Sequence, residues 1–169
     1  MTNTPKMLAA LAASLALAAA GTADARQGSI KARGANGSVS AKSGPNGTMV
    51  RGRGTVQNDD GSVTTRSGGA YQGANGSQAK RASTTTISPD GSASRSGEAY
   101  ASGPNGSASS AGGFQRDANG NWSGGRTTSA TNANTGNSYS GSTAIDPATG
   151  KPVHSASCTD AAGTVIPCR

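Results

Sequence analysis

The stretch DGSVTTRSGGAYQGANGS (residues 60–77) returns as DGSASRSGEAYASGPNGS (residues 90–107), and this repetition decides the fold. Each copy begins with Asp-Gly and ends with Asn-Gly-Ser, so the unit of about 30 residues carries two turn signals. Both dipeptides favour tight hairpin turns, because Asn, Asp and Gly tolerate positive φ. Between the turns the sequence is rich in Ser, Thr and Ala, and it leaves about eleven residues for each strand.

The same turn signals recur about every 15 residues along the chain. The glycines that form these turns are Gly47, Gly61, Gly76, Gly91, Gly106 and Gly120. Two turn types that alternate at equal spacing predict an all-β fold, an antiparallel meander with one turn type at each edge. A solenoid-like sheet with one coil per repeat is the alternative.

Large apolar side chains are scarce. No Leu follows Ala25, and the remaining aliphatic and aromatic residues are few. Each buried aliphatic side chain contributes about 1.5–3 kcal/mol, whereas ordering one residue of backbone costs about 1–2 kcal/mol. The composition therefore disfavours a conventional core and leaves two states, a thin repetitive sheet or a largely disordered Gly/Ser/Asn-rich chain.

The first 25 residues differ from the rest. Lys6 precedes an apolar run, and the segment ends in the small-residue pattern Ala23-Asp24-Ala25. This order is typical of a signal peptide that is cleaved near Ala25, and the run is too short and too rich in Ala to span a bilayer. We expect the protein to be secreted, periplasmic or held at the cell surface, with no transmembrane segment.

The remaining chain divides into three parts. Residues 26–57 are an N-terminal segment with irregular repeats, residues 58–150 are the regular β-repeat region, and residues 151–169 are a C-terminal hairpin. Cys158 and Cys168 flank a turn signal at Ala162-Gly163 almost symmetrically. In an exported chain this arrangement predicts a disulfide that closes the hairpin.

The chain is basic, with a formal net charge of +7. A positive balance of this kind suits an anionic partner outside the cell: an acidic polysaccharide, a glycolipid or a nucleic acid. The candidate polyanion-binding residues are Arg51, Arg53, Arg66, Lys80, Arg81, Arg95 and Arg126. Two-residue turns at Asn75-Gly76 and Asp90-Gly91 would place Lys80 opposite Tyr71 and Arg81 opposite Tyr100.

Residues for catalysis or metal binding are scarce. His154 is the only histidine, and it has no close pair of cysteines or cluster of carboxylates beside it in the sequence. The serines lack the surroundings of a nucleophile, and the glycines lack a phosphate-binding pattern. We therefore expect no catalytic residues, no metal site and no cofactor, and we expect that the protein is not an enzyme.

Two functions suit these features. The first is a structural, surface or matrix subunit that self-associates into a fibril, because polar repetitive strands suit edge-to-edge pairing. The second is a cationic extracellular module that binds an anionic polymer or surface. Runs such as Thr84-Thr85-Thr86 also suit a flat ice- or mineral-binding sheet, although ordinary strand threonines explain them equally well.

Overall fold

The computed structural model describes residues 28–168 as one eleven-stranded sheet in which each strand pairs with the next in the chain. The strands are β1 (Gly28–Gly34), β2 (Gly37–Gly44), β3 (Gly47–Gln57), β4 (Val63–Gly73), β5 (Gln78–Ile87), β6 (Ala93–Gly103), β7 (Gly106–Arg116), β8 (Trp122–Asn132), β9 (Ser138–Ile145), β10 (Pro152–Thr159) and β11 (Val165–Ile166). Every pairing is antiparallel. The fold is the predicted all-β meander, and it is neither the solenoid nor the disordered chain.

The turns lie in two rows, one at each end of the strands. The first turn edge holds the turns that follow odd-numbered strands, including Asp60-Gly61 and Asp90-Gly91. The second turn edge holds those that follow even-numbered strands, including Asn75-Gly76 and Asn105-Gly106. The two dipeptides therefore alternate between the edges in this part of the chain, and Asn119-Gly120, at the first turn edge, departs from the pattern.

Where a turn of the described chain contains a residue with positive φ, that residue is a glycine. All six predicted turn glycines have positive φ, and no other residue type does so among residues 28–168. At Gly76 (φ 80°) the N–H donates to the carbonyl of Gly73 at 3.2 Å, and at Gly91 (φ 83°) the N–H donates to the carbonyl of Ser88 at 3.0 Å. These bonds close four-residue turns with a left-handed glycine at the fourth position.

The turns at Asn75-Gly76 and Asp90-Gly91 are each one residue longer than the two-residue turns considered from the sequence. Gly73 and Ser77 flank the loop Ala74–Gly76, and Ser88 and Ser92 flank the loop Pro89–Gly91. One extra residue per loop shifts the register by one, which reverses the face of every side chain.

The predicted Lys–Tyr and Arg–Tyr neighbours were therefore wrong. Tyr71 is opposite Ala79, Lys80 is opposite Tyr100, and Arg81 is opposite Ala99.

The sheet has no hydrophobic core in the part of the chain that the structure describes, because no hydrophobic residue there is buried. Eleven large apolar side chains are well exposed, from 37% for Tyr71 to 75% for Ile30, and the others in this part of the chain are half-buried. A second layer would bury one face, so the sheet formed by residues 28–168 is a single layer with both faces open to solvent.

Hydroxyl groups of neighbouring strands bond to one another across both faces. On one face Thr64 and Thr86 approach to 3.1 Å between their Oγ1 atoms, and on the other Ser110 Oγ and Thr128 Oγ1 approach to 2.8 Å. Cross-strand pairs of this kind contribute about 0.2–1 kcal/mol each. The sheet therefore depends on its backbone ladder and on many weak side-chain pairs in place of a core.

The C-terminal hairpin contains the predicted disulfide. Cys158 in β10 is bonded to Cys168, with 5.3 Å between the Cα atoms. β11 covers only Cys158 and Thr159 of β10. At the other end of the sheet, residues 28–57 form β1 to β3 and the turns between them, whereas the predicted signal peptide lies outside the described residues.

Candidate polyanion-binding face

The pairing register assigns every strand residue to one of two faces. Directly opposite residues share a face, and successive residues along a strand alternate between faces. Arg51 is opposite Gly69, and Gly69 is opposite Arg81, so both arginines lie on one face. We call this the cationic face, and we call the other the opposite face.

The strand cations are concentrated on the cationic face. Nine are there, all exposed: Lys31, Arg33, Lys42, Arg51, Arg53, Arg81, Arg95, Arg116 and Arg126. Within the strands of residues 28–168, the opposite face carries only two cations, Arg66 and Lys80, together with Glu98. Among the strand residues of the described chain, the cationic face carries no carboxylate, so the two faces differ strongly in charge.

The cations form a broad band across the strands. Along the strand direction they are staggered by up to eight residues, because the pairings place Lys42 level with Ala108 of β7, whereas Arg116 lies eight residues further along β7. Five of them, Lys31, Arg33, Lys42, Arg51 and Arg53, lie on β1 to β3, which span about 10 Å at about 4.8 Å per strand. The others, Arg81, Arg95, Arg116 and Arg126, follow singly on β5, β6, β7 and β8. The band is therefore roughly 34 Å long, with its highest charge density at the β1 end.

Most of the aromatic side chains share this face. Tyr71, Phe114, Trp122 and Tyr139 all lie on it, and Trp122 is 50% exposed. The exception is Tyr100, on the opposite face, whose ring centroid lies 5.8 Å from Lys80 Nζ. That pair is a cation–π contact, although the sequence suggested different partners for both residues.

Two aromatic side chains are directly opposite arginines of the cationic face. Phe114 is opposite Arg95, and Trp122 is opposite Arg116. Arg116 Nη2 also donates to the Gly91 carbonyl oxygen at 2.8 Å, which holds its guanidinium at the first turn edge. This part of the face therefore offers stacking surfaces next to positive charges.

The carboxylates lie mostly in the turns, where they accept hydrogen bonds from the chain. Asp60 accepts from the Ser62 hydroxyl at 2.7 Å and from the Ser62 N–H at 2.9 Å, and these bonds lower the Asp60 pKa. Hydrogen bonds from Ser92 lower the pKa of Asp90 in the same way. These groups therefore stabilise the turns as anions.

A shallow depression of about 400 Å³ lies against the middle of the sheet. On the cationic face it is bordered by Arg51, Tyr71 and Arg81, and small side chains such as Ala79 and Ala99 form part of its floor. Because its floor is apolar and its margins carry guanidinium groups, it could accept a ring or backbone segment of a polymer whose anionic groups reach the arginines.

The structure brings together five of the seven predicted binding residues: Arg51, Arg53, Arg81, Arg95 and Arg126. It places Arg66 and Lys80 on the opposite face. Sequence reasoning missed Lys31, Arg33, Lys42 and Arg116, which share the cationic face. The spacing of Lys31 and Arg33 was an available signal, because residues two apart in a strand share a face.

The remaining observations concern groups of metal ligands and membrane-spanning helices among the described residues, and the similarity of the chain to known proteins. Between residues 28 and 168 no group of three or more His, Cys, Asp or Glu could hold a metal ion. No helix in the same range is long and apolar enough to cross a membrane. Comparison of the chain with family models, with curated proteins and with solved structures yields no match.

Proposed function

We propose that this protein is a secreted, non-enzymatic module that binds an extended anionic polymer across its cationic face. The observation that carries the proposal is the segregation of nine cations and four aromatic side chains onto one face of a single-layer sheet. The cations extend about 34 Å across the strands, which is far enough for an extended ligand to contact several of them at once.

The chemistry of the ligand follows from the side chains. Seven of the nine cations are arginines, whose planar guanidinium groups bond phosphate, sulfate and carboxylate oxygens in pairs. Exposed rings beside them offer stacking surfaces for a base or a sugar ring. Nucleic acids and acidic polysaccharides both present anionic groups along an extended chain with rings between them.

The test compares two double variants that remove the same charge from different faces. R51A/R53A removes two exposed cations from the cationic face, and R66A/K80A removes two exposed cations from the opposite face. Fluorescence anisotropy would measure binding of a labelled single-stranded oligonucleotide and of a labelled sulfated polysaccharide over a series of salt concentrations.

R51A/R53A should weaken binding by about tenfold or more at low salt. For the oligonucleotide, the slope of log K against log salt should become shallower by about 1.4, since each phosphate contact contributes about 0.7. R66A/K80A should change both quantities much less. Equal losses in the two variants, or no binding of either polymer by the parent protein at low salt, would refute the proposal.

A further inference from the structure

The outer side of β1 carries backbone groups that are free to pair. Because Gly34 and Gly37 flank a two-residue turn, Gly34, Ala32, Ile30 and Gly28 bond to β2. The N–H and C=O groups of Ser29, Lys31 and Arg33 therefore point away from β2. Within residues 28–168 no strand pairs with this side of β1.

β10 presents a similar free segment at the other end of the sheet. The Asp146 N–H donates to the Lys151 carbonyl at 2.9 Å, so Val153, Ser155 and Ser157 bond inward to β9. Pro152, His154 and Ala156 direct their backbone groups outward. β11 begins to cover β10 only at Cys158, which leaves residues 152–157 unpaired on that side in the described chain.

We propose that β1 of one copy pairs with β10 of another and that the copies join head to tail. In the register that avoids β11, residues 28–33 lie opposite residues 157–152 of the next copy. Lys31 is then opposite His154, and Ser29 is opposite Ala156, so outward-pointing groups meet outward-pointing groups. The pairing forms about five backbone hydrogen bonds, since Pro152 has no N–H.

The direction of the strands suits this arrangement. β1 runs from the second turn edge to the first, and β10 runs the opposite way, so a copy displaced along the sheet continues the antiparallel pairing. Lys31 and His154 both lie on the cationic face, which therefore continues from copy to copy. An interface between two different edges does not close on itself and generates an open filament.

The charges favour pairing of the β1 edge with the β10 edge over pairing of two β1 edges. Pairing β1 with a second β1 would bring Lys31 and Arg33 against the same cations of the other copy. β10 carries neither Lys nor Arg, and its His154 accepts or donates one hydrogen bond with the Thr143 hydroxyl at 2.8 Å. Like charges opposite one another in a sheet are destabilising, so the β1 edge is better matched by β10.

Two proline variants test the pairing without breaking the sheet inside one copy. In K31P and A156P the proline removes an N–H that points outward, whereas the bonds to β2 and β9 remain. K31A and A156S are the matched controls, because they change the side chain and keep the N–H. Assembly is measured by sedimentation velocity on the chain without its predicted signal peptide, residues 26–169, across a hundredfold range of concentration. Far-UV circular dichroism verifies that each variant keeps its strands.

The parent chain, K31A and A156S should form species that lengthen with concentration. For K31P alone and for A156P alone, the assembled fraction should be at least tenfold smaller than for the parent chain, because each variant lacks one edge that can pair. An equimolar mixture should form one-to-one dimers that grow no further, since the intact β10 edge of K31P pairs with the intact β1 edge of A156P.

Three results would overturn the proposal: a parent chain that stays monomeric throughout, K31P dimers that form alone through two β10 edges, or a mixture that behaves like its separate components. A measurement on the parent chain covers the case in which the variants do not fold. Hydrogen exchange at Lys31 and Ala156 should slow as concentration rises, whereas exchange at Ala32 should be slow at every concentration. Exchange at Lys31 and Ala156 that is independent of concentration would also contradict edge pairing.

Discussion

Because no hydrophobic residue of the described chain is buried, one turn should contribute more to the free energy of unfolding than any single aliphatic side chain. The test changes the Asn75-Gly76 turn between β4 and β5 to Ala-Ala. Gly76 has φ of 80°, where a residue with Cβ is strained by about 1–2 kcal/mol. The change also removes the bond from the Ser77 N–H to Asn75 Oδ1 at 3.1 Å, which contributes about 0.5–1.5 kcal/mol.

The expected loss for N75A/G76A is about 2 kcal/mol, after allowance for the smaller entropy of the unfolded Ala chain. V63A should cost about 1 kcal/mol or less, because Val63 is 38% exposed and the change removes two carbon atoms. G52A is the matched glycine control. Gly52 lies within β3 without positive φ, and an added Cβ there would meet nothing nearer than 4.0 Å.

Hydrogen exchange of the β4 and β5 amides measures the local free energy of opening. N75A/G76A should accelerate exchange by roughly 30-fold, at about 1.4 kcal/mol per tenfold change, whereas G52A should leave it unchanged or slower. If V63A accelerated exchange more than N75A/G76A did, or if the turn variant matched G52A, the turns would not dominate the stability of this sheet.

Two other expectations concern the disulfide and the turn carboxylates. C168S removes a cross-link between residues separated by 10 positions, which contributes about 3 kcal/mol in the chain-entropy description. Amide hydrogen exchange should accelerate at β11 and Cys158 and stay unchanged in β3 to β8. A loss of strands throughout the sheet would contradict this local role. Hydrogen bonds lower the pKa values of Asp60, Asp90, Asp117 and Asp146 below 3.8, so their contribution to stability is present above that pH and is lost as the pH falls through the lowered values. Thermal unfolding of the parent chain should therefore occur at a lower temperature at pH 2.5 than at pH 7. A variant with Asn at all four positions should show a smaller difference between the two unfolding temperatures. An equal difference in the variant would mean that other groups cause the acid sensitivity.

Local signals in the sequence determined the strands, the turns and their order. Asn-Gly and Asp-Gly mark turns because of the conformations that these residues tolerate, and their alternation favoured a meander over a solenoid, which the structure confirmed. The disulfide was also predictable from a turn signal, since Cys158 and Cys168 flank Ala162-Gly163 almost symmetrically. The scarcity of large apolar residues disfavoured a conventional core and left either a thin sheet or a disordered chain, of which the structure shows the sheet. None of these inferences needs an exact register.

The distribution of charge between the faces was decided only by the tertiary structure. A turn dipeptide does not specify whether Ala74 or Pro89 also belongs to the loop, and one residue more in a loop moves every following side chain to the other face. From the sequence alone the seven candidate cations were therefore equivalent. The register separated Arg66 and Lys80 from the other five, and it added Lys31, Arg33, Lys42 and Arg116 to the same surface, because a face is a property of the whole chain of pairings and not of any one strand.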